Sequence, residues 1–315
     1  MSRKLAIPLI ALVAIAAPLV LTGEFHRQLL VLSLIFAILA ASWDLTLGYA
    51  GIFNFAHITF FAIGGYTVAI MGEHLGTPSA VGALVAIPIA MVAGALAFIP
   101  ILRLSGIYVA LATFALNQLG LLVTLGLSDL TGGSNGIVGI NEISLFGFNF
   151  DTMMRSYYGA LVVAAVSIIA LRRIAGSSLG VSLIALRDFE EYATSLGVSR
   201  ARQQFLSIVF SAGFAGLAGA LYVSFLGVAT QQLYSFSIAV TLLAMLILGG
   251  TSTIYGSVLG AFLLTFGEQL YLEPGPWQKI IVAAGIIITM LLLPKGLWPV
   301  LSRIVPSRPL QRASH

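Results

Sequence analysis

The 315-residue chain is 59% hydrophobic and 8% charged, with a mean hydropathy of +1.05; soluble domains carry about 25% charged residues, so this is an integral membrane protein. It has no cysteine, which excludes disulfides, thiol nucleophiles and thiolate metal sites. The net charge of +4 and the pI near 9.5 are read through membrane topology rather than as a nucleic-acid footprint, and no nucleic-acid partner is expected.

Long continuous apolar runs leave helices as the spanning element, since the weaker alternation of a β-barrel is absent. Residues 5–21 form an apolar run behind Arg3 and Lys4; a retained first helix is expected, with a cleaved signal as the other reading. A polar outer turn at 24–28 leads to a second span at 29–47, where Asp44 caps a neighbouring element, faces water or carries a proton. The following GYAGIFNFAHITFFAIGGYT, 48–67, is apolar but interrupted by Gly48, Gly51, Gly64 and Gly65. Asn54, His57 and Thr59 would put polar groups at this break, lining a pathway or serving tight helix packing.

The third span ends near Met71, and GEHLGTPS is an outer loop. A fourth span at 80–102 contains Pro88 and Pro100, which would kink or end it, and Arg103 marks a cytoplasmic turn. The fifth, 106–127, carries Thr113 and Asn117, four apart and therefore on one face, which looks into a cavity or bonds a neighbouring helix. Residues 128–156 are too polar and glycine-rich to span and form an outer, periplasmic loop. Within it, Gly132 to Gly136 fits G-x-S-x-G around Ser134, but without the strand and helix that a nucleophile elbow requires; a glycine turn is expected.

A sixth span at 157–171 delivers the chain to a polar interior segment, 172–204, which holds five of the fifteen basic residues and three of the eleven acids. Within it, 181–196 reads as one short amphipathic helix with Val181, Ile184, Ala185, Tyr192 and Leu196 on one side and Arg187 and Glu191 as an i,i+4 pair. Gly197 suits the position past its end, and Ser199 suits the cap of the next helix. Such an apolar stripe needs a protein partner, unless it lies on lipid headgroups or folds back on its own chain. Arg172, Arg173, Arg200 and Arg202, which flank it, read as topology anchors.

The seventh span, 205–226, repeats Ala212, Gly216 and Ala220 every four residues, a ridge for close helix packing. After an outer turn at 227–234, residues 237–266 are interrupted by GGTSTIYG, 249–256, a second glycine-broken region with Thr251 and Ser252 as pathway candidates. Charge chooses between one crossing and two. With GGTSTIYG as a turn between two short spans, twelve basic residues fall inside (Arg3, Lys4, Arg103, the five of 172–204, Lys295, Arg303, Arg308 and Arg312) against Arg27, Arg155 and Lys279 outside. One crossing would place the basic tail outside. The expectation is therefore an all-α polytopic protein of about ten spans, some short or broken, forming one transmembrane domain over 1–315. The last span is 279–293, and the tail at 296–315 begins within PKGLWP at interfacial Trp298, with both termini cytoplasmic.

There is no G-x-x-x-x-G-K-[ST] and no H-E-x-x-H, so no cofactor and no ATPase or metal chemistry is expected of the chain itself. The competing reading is an ion-coupled carrier, with Asp44, His57 and Glu268 as relays inside the membrane. An intramembrane hydrolase would rest on Ser134 and His57 alone.

LGYAGIFNFAHITFFAIGGYT, TGGSNGI, LIALRDFEEYATSLGVSRARQQFLSIVFSAGFAGLAGALY, ILGGTSTIYGSVLGA and LLLPKGLWP, in that order over about residues 40–300, resemble the LivM-type permease subunit of branched-chain amino acid ABC importers. The resemblance implies a subunit of the bacterial inner membrane, surrounded by lipid. Its partners would be a LivH-type permease, two ATPase subunits of the LivG/LivF type that bind the ATP, and a periplasmic solute-binding protein. It also implies that 183–197 includes the coupling helix docked on the ATPase, with Leu183, Leu186, Arg187, Asp188, Glu190, Glu191, Tyr192, Ala193, Leu196 and Gly197 as coupling positions. The chain departs from many relatives at IFNFAH, where they are richer in serine and glycine, and at Tyr192, where a smaller residue is common. Relatives also import urea, short amides and aromatic acids.

Overall fold

The computed structural model describes residues 15–19, 21, 23–140, 144, 145, 148, 149, 153–269 and 296–299. Five helices long and apolar enough to cross a membrane come first: α1 (Glu24–Asp44, continued by a π turn at Leu45–Tyr49), α2 (Ala56–Leu75), α3 (Ser79–Ile101), α4 (Ile107–Gly126) and α5 (Met153–Ala175). Two short helices follow, α6 (Ser178–Asp188) and α7 (Glu190–Ser195), and then a sixth long one, α8 (Arg200–Leu226). The last pair, α9 (Phe236–Gly249) and α10 (Ile254–Gln269), is bent by 119° at the four residues between them. The expected first and last spans, 5–21 for the most part and 279–293 entirely, lie outside the described residues, as does the tail beyond Pro299.

α1 is the central helix, buried almost continuously from Leu29 to Asp44 and packed by α5, α8, α9 and α10. α8 lies against α2 and α3. The outward faces of α3, α4 and α5 present Leu84, Val92, Leu96, Leu111, Leu122 and Val162, apolar side chains suited to lipid. Lipid tails are as apolar as leucine, so burying leucine between helices gains little and close backbone approach must supply the attraction. The predicted ridge does this: Ala212, Gly216 and Ala220 are all buried. A Cβ on Gly64 would sit 1.9 Å from the Gly216 carbonyl oxygen, and one on Gly219 would sit 1.8 Å from that of Phe61. Gly64 and Gly65 are thus packing residues inside a continuous α2, and the true interruption is earlier, from the π turn to Phe55. Pro88 sits within an unbroken α3, whereas Pro100 comes one residue before its end.

The end of the bundle carrying α6 and α7 is called the handle end. Ends of α1, α3, α5 and α9 and starts of α2, α4, α8 and α10 gather there. Residues 296–299 return to it, with Trp298 5.2 Å from the Tyr255 ring. At the far end, β1 (Ile137–Val138) pairs antiparallel with β4 (Val228–Ala229), and the TGGSNG stretch turns through positive φ at Gly132, Gly133 and Gly136. β2 (Ser144–Leu145) and β3 (Phe148–Asn149) form a second, local pair.

Two expectations change here. Residues 227–234 are not a surface turn throughout: the 3-10 turn Gln231–Tyr234 buries Leu233 and Tyr234 and reaches Asn117, the middle of α4. α9 therefore starts inside the bundle, and its 14 residues extend about 21 Å, less than the about 30 Å of hydrocarbon. What changes is that α9 is too short to be a full span of its own; the bend at Gly250–Thr253, where the sequence placed a turn within GGTSTIYG, is as expected. Both ends of the broken pair face away from the handle.

Gly219→Val should lower the thermal stability of the purified protein in lipid nanodiscs by about 3 kcal/mol or more, because the Phe61 backbone cannot yield. Gly72→Ala, with open space around its Cβ position, should leave it unchanged or slightly raised.

Candidate functional site

Where the chain leaves helical geometry inside the bundle, its freed backbone groups have no water to bond and must find side chains. The Phe55 N–H donates to Thr113 Oγ1 (3.0 Å), and Asn54 Oδ1 accepts the Ala56 N–H (3.0 Å). Asn117 Nδ2 donates to the Tyr234 carbonyl (3.0 Å) while its Oδ1 accepts from Thr59 (3.0 Å). Thr124 continues the ladder with a 2.9 Å bond to the Tyr234 hydroxyl. Four pathway candidates, Asn54, Thr59, Thr113 and Asn117, are thus brought together, on the shared α4 face that the spacing predicts. All four are buried. In this conformation they support broken backbone rather than face an open channel. Phe55, Phe114 and Phe236 pack beside them with ring centroids 5.6–6.0 Å apart.

His57 is fully buried and joins three helices. Its Nε2 lies 3.2 Å from both Ser42 Oγ and the Leu39 carbonyl on α1, and its Nδ1 lies 3.2 Å from Ser211 Oγ on α8. Ser211 also donates to the Ser42 carbonyl (2.7 Å), and Trp43 stacks on the imidazole at 5.6 Å. A ring so enclosed clamps the helices together in this conformation, and it is far from Ser134, which sits on the exposed far-end turn. The hydrolase pairing has no geometry. As for the carrier reading, the side chain of Glu268 lies outside the described residues, and Asp44 and His57 are both engaged in helix contacts. Among the described residues no group of three or more His, Asp or Glu is placed to hold a metal ion.

The second glycine-broken region meets the first at the handle end. Ser252, at φ 61° the only non-glycine residue with positive φ among those described, donates its N–H to Asp44 Oδ1 (2.8 Å) and its hydroxyl to the Gly48 carbonyl (2.9 Å). Arg187 completes the junction: one guanidinium nitrogen donates to Ser252 Oγ (2.6 Å) and to the Gly48 carbonyl. Asp44 is therefore a capping residue for the 250–253 turn. Thr251, by contrast, is exposed beside it. Arg172, expected only as a topology anchor, bonds the Tyr255 hydroxyl and lies 4.8 Å over its ring.

The handle differs from the expected single helix. Phe189, at φ −145° and ψ 67°, divides it into α6 and α7. The break destroys the i,i+4 register, so Arg187 pairs with the adjacent Asp188 (2.8 Å) and Glu190 with Arg200 (2.6 Å), and Glu191 does not pair with Arg187. The Asp188 carboxyl, hydrogen-bonded by Arg187, titrates below the usual carboxylate range; the pair is intact at neutral pH and is lost only as pH falls through that lowered value. Leu183, Leu186 and Ala193 face inward, whereas Val181, Phe189, Tyr192 and Leu196 are 66–71% exposed. Gly197 takes a positive φ of 87°, and Ser199 caps α8 by accepting the Arg202 N–H.

Sequence reading missed Ser42, Ser211 and Tyr234. Ser211 sits beside the small-residue ridge of α8, where a hydroxyl is close enough to the facing helix to bond it, and that position was the available signal.

A polytopic helical bundle with two helix breaks at one end, both bound to a surface handle, is the architecture of a transport permease. The chain belongs to the family described as branched-chain amino acid transport system / permease component, which it matches over residues 26–293. It is 27% identical to the high-affinity branched-chain amino acid transport system permease protein LivM of Escherichia coli (strain K12), over 94% of this chain and 75% of that protein. It is also 27% identical to LivH of Salmonella typhimurium, over 83% of this chain and 90% of that one. No solved structure matches the chain. The protein is a multi-pass inner-membrane permease.

Asn117→Leu should cost about 2–4 kcal/mol, since it strands the buried Tyr234 carbonyl and Thr59 hydroxyl. Thr124→Val, which removes one bond, should cost less than half as much. Thermal unfolding in lipid nanodiscs ranks the two.

Proposed function

We propose that this chain is one of two permease subunits of an ATP-driven importer for branched-chain amino acids, paired with a LivH-type subunit and driven by two separate ATPase subunits. The observation that carries the reading is the handle. A soluble face of α6 and α7 that exposes Val181, Phe189, Tyr192 and Leu196 to water is unfavourable unless another protein covers it. The same element is bonded through Arg187 to both helix breaks. A surface that needs a partner and is wired to the breaks suits a subunit that borrows its energy, with ATP held by the partners. The handle would then face the cytoplasm, both termini would share that side in keeping with the basic-residue distribution, and a periplasmic binding protein would deliver solute to the 128–156 loop side. The family's transport of branched-chain amino acids, named for LivM and LivH, supports the substrate class. In this scheme Glu190, Glu191 and Tyr192 belong to the contact face. ATP binding shifts the permease between its two openings through whatever contacts it makes differently with the handle in each.

Vesicles containing both permeases, the ATPases and the binding protein should accumulate labelled leucine, isoleucine or valine only with ATP inside or at the ATPase face. Uptake driven by a proton or sodium gradient without the ATPases would overturn the proposal. Tyr192→Ala with Leu196→Ala should weaken ATPase association at least about tenfold in a pull-down from detergent, as loss of an aromatic and an aliphatic anchor does at other interfaces.

A further inference from the structure

We propose that Arg187 is a latch rather than part of the ATPase grip: it locks the π turn of α1 and the 250–253 turn together while α6 is seated. The proposal rests on the importer reading for its consequence, not for its geometry. Arg187 ends α6 but points back into the bundle, its Nε held by Asp188 and its terminal nitrogen shared between Gly48 and Ser252. The Gly48 carbonyl is free of helical bonding here and accepts from Arg187 and from Ser252 Oγ, which uses both of its lone pairs. Ser252 is gripped from two sides, since Asp44 Oδ1 holds its N–H.

The backbone is shaped around this contact. A Cβ on Gly48 would sit 2.0 Å from Asp44 Oδ1 and 2.5 Å from the Ser252 nitrogen, and one on Gly51 would sit 2.7 Å from Arg187 Cγ. The two glycines therefore make room for the turn and for the arginine arm. Release is asymmetric. The Arg187 side chain is 31% accessible, so a guanidinium that swings away regains water. Asp44 cannot, because it is wholly buried. Moving α6 outward thus takes from the junction one of the two donors to the Gly48 carbonyl and the charged donor to the Ser252 hydroxyl, and leaves Ser252 in its positive-φ conformation held only by Asp44 and its own bond to Gly48. An element with one solvated and one buried partner favours return, and the position of the handle becomes the state of the two breaks.

The chain has no cysteine, so Ile254→Cys at the start of α10, at a position 3% exposed, gives a single reporter thiol. In the chain alone in nanodiscs, maleimide should label it about tenfold faster in an Arg187→Ala background than with Arg187 intact, the change expected for losing charge-assisted hydrogen bonds. Unchanged labelling overturns the latch. In the assembled transporter, Arg187→Ala should keep the ATPases bound while solute moved per ATP hydrolysed falls about tenfold, with Arg187→Lys intermediate because an ammonium lacks the fork. A merely structural arginine would lower the yield of folded transporter and leave that ratio unchanged, which also overturns the proposal. Should Arg187→Ala not fold, Ser252→Ala, which removes one hydroxyl, takes its place in the same two measurements: faster labelling and a lower ratio support the latch, and no change in either overturns it. If Tyr192→Ala with Leu196→Ala leaves ATPase association intact, the docking reading fails while the labelling result still decides the latch.

Discussion

A backbone carbonyl or amide freed from a helix within hydrocarbon has no water to turn to, and the structure is arranged around satisfying four of them. The Phe55 amide has Thr113, the Tyr234 carbonyl has Asn117, the Ser252 amide has Asp44, and the Gly48 carbonyl has Ser252 and Arg187. Each partner of the first three comes from a different element than the break it serves. Breaking the helices therefore ties distant parts of the chain together: 117 residues separate Asn117 from Tyr234, and 208 separate Asp44 from Ser252. The interruptions that weaken α1 and the α9–α10 pair as helices are what cross-link them.

Close packing supplies the rigid frame for these junctions. α1 is enclosed on nearly every side, α8 meets α2 at backbone contact through Gly64 and Gly219, and His57 pins α1, α2 and α8 at a single point. Around this frame, α3, α4 and α5 turn apolar faces outward.

Much of this was legible in the sequence because it is periodic. Apolar runs of span length, the Ala212–Gly216–Ala220 ridge, the Thr113–Asn117 face and the GGTSTIYG reversal all follow from spacing and glycine content. What was not legible depends on tertiary direction. The handle pattern continues through Phe189 as if helical, and only the need to turn Leu183, Leu186 and Ala193 inward while releasing Arg187 toward Gly48 explains the break there. Asn54, His57 and Thr59 carry the same composition whether they line a path or bond a neighbour; burial distinguishes the two, and burial is a property of the assembled bundle. Residues 227–234 looked like a surface turn because they are polar, but the Tyr234 carbonyl lies inside the bundle and is served by Asn117 of α4.

The depth at which α9 begins has a consequence for the membrane in which the protein works. A helix anchored at both headgroup layers must tilt or deform the bilayer when hydrocarbon thickness changes. α9 is anchored at neither end to the far headgroups; it starts at the Asn117 level, within protein, and ends on the 250–253 turn. Thickness mismatch therefore falls on α3, α4 and α5, whose 20 to 23 residues and lipid-facing sides meet it directly. The two breaks, bonded to each other at the handle end through Ser252 and Arg187, are not stretched between the headgroup layers as those helices are.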